Sequence, residues 1–365
     1  MIVASKDAEA RLKRVLISPQ ISISEAVPIL DRAGMGILLL CEDDRRLVGV
    51  LTDGDIRRAI LRGVSFEKPC ISIAGRNPVV APQPVSPSEA LHFMDHSRDF
   101  VVNHLPVVDA EGRVVDLLLR RDLVTQEQLA LSAVIMAGGA GTRLRPLTED
   151  IPKPMLLVGS RPLMELIIKQ LRQAGIRRVN ITTRYRPEKI IEHFGDGQSF
   201  GVEIDYVTED RPLGTAGALG LMQAPDEPLL VINGDILTRV DFRAMLAYHR
   251  EHGADLTVAV RQYDLQIPYG VLECEGLHVC QVREKPSFRF LVNAGIYLLE
   301  PSVHCYIPNG QRFDMTDLIQ RLLEDGRPVV SFPIVEYWLD IGQHVDYEQA
   351  QEDVRSGRVE LDGLG

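Results

Sequence analysis

Residues 138–145 read Gly-Gly-Ala-Gly-Thr-Arg-Leu-Arg and follow directly on the apolar run Ala133-Val-Ile-Met-Ala137. Three glycines in four positions let backbone amides approach a polyphosphate without Cβ obstruction, and Arg143 and Arg145 add positive charge beside them. The loop is not the dinucleotide fingerprint G-x-G-x-x-G, because Leu144 stands where the last glycine belongs. Nor is it a P-loop, because no Gly-Lys-Ser/Thr follows. Dinucleotide oxidoreductase and P-loop NTPase chemistry both lose support. Lys153 sits between Pro152 and Pro154, whose fixed φ holds its backbone, so it reads as a placed cation rather than a solvated one. Asp235 closes the apolar run Leu229-Leu-Val-Ile-Asn-Gly-Asp235, and Asp340 follows Trp338-Leu in a second such context.

Positioning these groups falls to repeated strand–helix units. Ala133–Ala137 reads as a buried strand, residues 162–174 as a helix stopped by Gly175, and residues 178–182 as a second strand. A short helix over 187–194, strands over 203–207 and 229–232, and a helix over 241–252 ending at Gly253 continue the alternation. Such units imply an α/β fold, a Rossmann-like, mostly parallel mixed sheet with helices on both faces. Ligands of such sheets lie beyond the carboxyl ends of the strands, where the glycine loop and Asp235 fall.

Ala137-Gly-Gly-Ala-Gly-Thr-Arg-Leu-Arg-Pro-Leu-Thr148 followed by Pro152-Lys-Pro-Met155 resembles the signature of sugar-1-phosphate nucleotidyltransferases. The resemblance continues through Pro212-Leu-Gly-Thr-Ala-Gly217, Asn233-Gly-Asp235, Glu284-Lys-Pro286, Asn293-Ala-Gly-Ile-Tyr297 and Trp338-Leu-Asp-Ile-Gly342, and so covers almost all of residues 133–345. It implies attack of a sugar 1-phosphate oxygen on the α-phosphorus of an NTP, with pyrophosphate leaving and no covalent enzyme intermediate. The protein then mainly positions two anions and neutralises charge at phosphorus. By this resemblance Arg143 and Lys153 are catalytic. Ala137, Gly138, Gly139, Gly141, Thr142, Glu209, Gly214 and Thr215 bind the nucleotide. Tyr269, Gly270, Glu284, Lys285 and Asn293 bind the sugar phosphate, and Asp235 and Asp340 hold Mg²⁺, which takes few protein ligands and keeps several waters. The alternative for the two aspartates is turn capping before glycine.

Glu209 stands five residues before Gly214, where thymidylyl- and uridylyltransferase relatives usually carry a glutamine. A carboxylate only accepts hydrogen bonds, and guanine offers two adjacent donors, N1–H and the 2-amino group. GTP is therefore the expected nucleotide, provided Glu209 does not point to solvent. The sugar expected from resemblance is glucosamine 1-phosphate, since a CBS pair ahead of such a domain resembles glucosamine-1-phosphate guanylyltransferases of legionaminic acid biosynthesis. Mannose- or heptose-1-phosphate guanylyltransferase, and a uridylyl- or thymidylyltransferase, remain alternatives. So does a nucleotide-sensing binding protein without turnover. No hexapeptide repeat follows Trp338, so a second acetyltransferase activity is not expected.

Residues 1–128 contain a weak internal repeat, about 10–64 and 70–126, ahead of a catalytic domain over 133–355. Ser22-Ile-Ser-Glu-Ala26 and, 64 residues on, Ser86-Pro-Ser-Glu-Ala90 each open a helical pattern with a capping serine and a first-turn glutamate. Each is followed by an apolar strand, a polar turn, a second strand and a charged helix start. The pattern resembles a tandem pair of CBS domains, carried by Gly49-Val-Leu-Thr-Asp-Gly-Asp-Ile56. That resemblance makes Thr52, Asp55 and Asp122 ligand residues for an adenine nucleotide, with Leu119 replacing the threonine in the second copy; helix capping is the other reading of Thr52 and Asp55. CBS modules pair across two-fold axes, so a homodimer or homotetramer is expected. Leu123–Ser132 reads as a short linker.

Composition bounds the rest. The 365 residues carry 40 Lys+Arg and 51 Asp+Glu, a net charge of −11, with 45% hydrophobic residues. That excludes broad disorder and disfavours nucleic acid as a partner. No apolar run approaches the ~18 residues of a membrane helix. The N-terminus lacks the apolar stretch of a secretion signal, and the five cysteines form no CxxC pair, so a reduced, cytoplasmic protein is expected. The pairs His92/His96 and His249/His252 read as solvated helix faces rather than zinc ligands.

Overall fold

The computed structural model describes residues 6–96, 102–123 and 129–359, and the chain divides into two compact units, residues 1–127 and 128–365. In the first unit a helix, α1 (Lys6–Val15), precedes two copies of one motif. One copy runs β1 (Leu16–Ile17), α2 (Ile23–Ala33), β2 (Ile37–Cys41), β3 (Leu47–Thr52) and α3 (Asp53–Leu61). The other runs β4 (Ala81–Pro82), α4 (Pro87–His96), β5 (His104–Val108), β6 (Val114–Leu119) and α5 (Arg120–Leu123). In each three-stranded sheet the short first strand is parallel to the second, and the second antiparallel to the third.

The serines start their helices reciprocally. Ser22 Oγ accepts from the Glu25 amide while the Glu25 carboxylate accepts from the Ser22 amide at 2.9 Å, and Ser86 and Glu89 repeat the exchange at 2.8 Å. The copies meet at their turns, where the Leu47 amide donates to the Gly112 carbonyl and the Val114 amide to the Arg45 carbonyl. The acidic stretch Glu42–Asp44 forms the β2–β3 turn. Residues 124–128 of the expected linker lie outside the described residues.

In the second unit, β7 (Ser132–Met136) leads to a small hairpin of β8 (Leu157–Val158) and β9 (Arg161–Pro162), then α6 (Leu163–Gln173), β10 (Arg178–Thr183), α7 (Pro187–Phe194) and β11 (Glu203–Thr208). The single turn α8 (Gly214–Gly217), β12 (Leu229–Asn233), β13 (Ile236–Thr238) and α9 (Phe242–Glu251) follow. Then come β14 (Leu256–Gln266), β15 (Val271–Glu275), β16 (His278–Arg283), β17 (Ser287–Leu299), α10 (Met315–Glu324), β18 (Val329–Pro333), β19 (Trp338–Asp340) and α11 (His344–Arg355).

Seven strands form one sheet in the order β11-β10-β7-β12-β17-β14-β18; β17 is antiparallel to both neighbours and every other pairing is parallel. Alternation along the central strands buries both faces. Ala133, Ile135, Leu230 and Ile232 pack with Ile167, Ile168 and Leu171 of α6 and Phe242 and Met245 of α9, whereas Val134, Leu229 and Val231 pack with Leu318 and Leu322 of α10. The architecture is the expected mostly parallel mixed sheet. Unanticipated is a long antiparallel ribbon, in which β14 and β17 stay paired out to Gln266 opposite Ser287 and carry the hairpin β15–β16 between them.

One expectation is corrected. His249 is fully buried rather than on a solvated helix face: Nδ1 lies 2.7 Å from Thr257 Oγ1 and Nε2 3.0 Å from Glu300 Oε1. His252 is exposed and stacks on Tyr248, and His92 and His96 are exposed as expected. No helix among the described residues is long and apolar enough to cross a membrane.

Candidate functional site

The glycine loop leaves the sheet between two strand ends. The Ala137 amide donates to the Thr182 carbonyl at 3.1 Å, which ties the loop entrance to β10. Next to it Glu209, just past the end of β11, is only 6% exposed and does not point to solvent. Its Oε2 accepts from the Leu213 amide at 3.0 Å, and a Cβ at Gly138 would overlap its Oε1. Glycine at 138 is thus needed for the carboxylate to lie against the loop. Burial pushes the Glu209 carboxyl above the ordinary carboxylate range, opposed by the Leu213 amide and the Arg184 charge.

Farther along the loop, Gly141 adopts φ +60°, and a side chain there would press on Lys153 and Thr148. Thr148 donates back to the Gly141 carbonyl at 2.7 Å. Gly139 faces open space, and Thr142 and Arg143 lie in an exposed 3-10 turn. Lys153 is 9% exposed despite its charge, and its Nζ donates to Asp235 Oδ2 at 2.5 Å. The proline-bracketed turn enforces this: Pro154 packs on Gly234, whose amide donates to the Met136 carbonyl, so β7, β12 and the Lys153 turn converge.

Asp340 joins the same cluster. It lies opposite Ile236 in the β13–β19 pair, and the Ile341 amide donates to the Asp235 carbonyl at 3.0 Å. Withdrawal from water and then the Asp235 charge hold its carboxyl above the ordinary range, against the pull of Lys153 and Arg143. Arg143 reaches the same place, its NH1 3.9 Å from where a Cβ on Gly342 would lie. Asp235 Oδ1 is buried without a hydrogen-bond partner. A like-charged carboxylate pair with an orphaned lone pair fits a divalent cation that completes its shell with water and phosphate oxygens.

The sugar-side residues occupy the ribbon. Glu284 and Lys285 are exposed, Lys285 at φ +44°, a backbone state that non-glycine residues rarely hold. Glu284 Oε2 is 3.1 Å from the Cβ position of Gly270, so these two lie side by side, while Tyr269 is 74% exposed. At the ribbon's root Asn293 Oδ1 accepts from the Gly295 amide, and Gly295 at φ +71° abuts Asn233.

Gly214 and Thr215 are tied to Asp314. Thr215 donates both its amide, at 2.9 Å, and its hydroxyl to Asp314 Oδ1, and accepts from the Met315 amide. Gly214, at φ +81°, presses against the same carboxylate. Asp314 therefore latches the loop that carries Gly214. Sequence reasoning missed it, although an aspartate directly before the helical run 315–324 is a cap signal. Arg184 was missed too, at the carboxyl end of β10.

In the first unit, Thr52 and Asp55 form a capping box. The Asp55 carboxylate accepts from the Thr52 amide at 2.8 Å and hydroxyl at 2.7 Å and from Arg58 at 2.7 Å. Asp122 pairs with Arg11 at 3.6 Å.

The model of the nucleotidyl transferase family matches residues 132–357, and that of the CBS domain matches residues 11–62 and 71–127. This chain belongs to the nucleotidyl transferase family. A tandem pair of CBS domains precedes its transferase unit. It is 35% identical over 250 residues to a UTP–glucose-1-phosphate uridylyltransferase of Synechocystis, covering 63% of this chain and 64% of that one. It is 33% identical over 236 residues to a mannose-1-phosphate guanylyltransferase of Mycobacterium tuberculosis, covering 62% and 65%. The chain thus spans just under two thirds of the length of these relatives. A crystal structure described as a glucose-1-phosphate thymidylyltransferase of Bacillus anthracis, in complex with a sucrose, matches 62% of this chain and 95% of that one, with TM-score 0.50 and 27% identity.

Proposed function

We propose that the transferase unit moves GMP from GTP to a sugar 1-phosphate. An oxygen of the sugar phosphate bonds to the α-phosphorus as the bond to the β-phosphate oxygen breaks, and pyrophosphate leaves with the electron pair. The observation that carries this reading is the convergence of Arg143, Lys153, Asp235 and Asp340 at the end of the glycine loop. Lys153 binds phosphate oxygens from a buried position, and the exposed Arg143 reaches the departing pyrophosphate. Fixed cations of this kind stabilise the charge that builds up at phosphorus without reorganising. Asp235 and Asp340 would hold Mg²⁺, which supplies charge neutralisation when bound.

Guanine is the base because Glu209, buried and held by Leu213, presents acceptors only. Glucosamine 1-phosphate is the proposed acceptor, a reading supported by the tandem CBS pair ahead of the transferase unit. Mannose 1-phosphate is the second reading, favoured by the name of the Mycobacterium tuberculosis relative. The CBS pair is read as a regulatory or oligomer-forming module that takes an adenine nucleotide at Thr52 and Asp55. The test is pyrophosphate release by the full chain with Mg²⁺, each of ATP, CTP, GTP, UTP and dTTP, and glucosamine, mannose, glucose and heptose 1-phosphates. Turnover confined to GTP is expected. Turnover with UTP or dTTP alone overturns the guanine assignment, and release that is independent of any sugar phosphate overturns the transferase reading.

A further inference from the structure

Arg184 is a cation with no assigned task. It is half-buried and makes no hydrogen bond or ion pair with any described residue. Its position follows from register. In the parallel pair β10–β11, Thr182 lies opposite Val207 and Thr183 opposite Thr208. The last bond of that ladder runs from the Glu209 amide to the Thr183 carbonyl at 2.9 Å. Arg184, which follows Thr183, and Glu209 are therefore neighbours just past the carboxyl ends of these two strands. The Glu209 carboxylate is held in one orientation, one oxygen accepting from the Leu213 amide and the other lying against Gly138. The Arg184 charge nevertheless acts on Glu209, lowering its carboxyl pKa against the effect of burial.

We propose that Arg184 is a specificity-determining residue that donates to guanine O6 while Glu209 accepts from N1–H and the 2-amino group. This rests on the guanylyl reading above. Guanine presents, in a row, an acceptor and two donors, and Arg184 with Glu209 presents a donor and two acceptors. Uracil and thymine match at O4 and N3–H but set O2 against a carboxylate oxygen. Adenine and cytosine place an amino group against the guanidinium and a ring acceptor against the carboxylate. The pair thus rejects each of the other bases through at least one repulsive contact, which acceptors alone do less completely.

The test is equilibrium binding of GTP, UTP, ITP and 6-thio-GTP to the full chain with Mg²⁺, by isothermal titration and without sugar phosphate. ITP lacks only the 2-amino group; 6-thio-GTP keeps both donors and replaces O6 by a weaker acceptor. Wild type should bind GTP more tightly than either analogue. Arg184→Ala should weaken GTP about tenfold to a hundredfold, leave 6-thio-GTP within about threefold and keep the GTP/ITP ratio. Glu209→Gln should change the GTP/ITP ratio instead. Equal weakening of GTP and 6-thio-GTP in Arg184→Ala would place the arginine on the phosphates, and unchanged GTP binding would leave it no role; either overturns the proposal. Wild-type preference for UTP, or no nucleotide binding, overturns the guanylyl reading itself and is seen before any variant is made.

Discussion

Replacing Lys153 by methionine removes the ammonium while keeping most of the stem. Lys153 Nζ lies 2.5 Å from Asp235 Oδ2, with the two side chains 10% and 26% exposed. Breaking a fully buried pair costs about 3–5 kcal/mol, mostly from the charge left behind; with a quarter of the Asp235 side chain in water, about 1–3 kcal/mol is expected. Melting in EDTA should therefore show the transferase unit unfolding about 2–10 °C lower. Activity should fall about 10²- to 10³-fold, since a preorganised charge at phosphorus is lost. The double variant Lys153→Met with Asp235→Asn separates the two effects: stability should return while activity stays low. Activity within threefold of wild type in the single variant would refute the role of Lys153. A double variant as unstable as the single one would refute the charge argument.

Three further outcomes follow from other contacts. Asp314→Ala releases the Gly214 turn by removing the acceptor of the Thr215 amide and hydroxyl, at about 1 kcal/mol for each neutral partner. The nucleotide KM should rise several-fold with a smaller change in kcat, and an unaltered KM would sink the latch. Burial, opposed by the Glu300 carboxylate, holds the His249 imidazole below its ordinary value of 6.5. The unfolded chain then takes the proton first, so stability falls as pH drops below about 6.5. His249→Gln should flatten the stability curve between pH 7 and 5 relative to wild type; parallel curves would contradict this. Among the thiols, Cys274, Cys280 and Cys305 are exposed, whereas burial pushes Cys41 to about 12 and Cys70 to about 11. Ellman's reagent should titrate three groups in the native protein and five after denaturation.

Local signals carried much of the fold. Asp241 caps α9, and Gly253 follows its end; Ser22 and Ser86 cap their helices through glutamates three residues on. These depend on neighbours within a few residues, which the chain order states directly. The ribbon was not legible, because β14 and β17 pair across a hairpin whose strands are almost wholly exposed and so lack an apolar alternation. His249 was legible and misread: its spacing from Phe242, Met245 and Leu246 places it on the buried stripe. At the site, residue types and strand-end positions were readable for Lys153, Asp235 and Glu209. The contact of Glu209 with Gly138, and that of Asp314 with Thr215 across 99 residues, arise only from packing of separate elements.

The most direct test of nucleotidyl transfer follows two labels in one reaction. The full chain is incubated with Mg²⁺, a sugar 1-phosphate and GTP labelled at either the α- or the γ-phosphorus. Nucleotidyl transfer puts α-label in a nucleotide sugar and γ-label in pyrophosphate, in equal amounts and only when sugar phosphate is present. Gamma-label in inorganic phosphate would show hydrolysis at the wrong bond, and GTP bound but unchanged with every sugar phosphate would make the chain a sensor rather than a transferase.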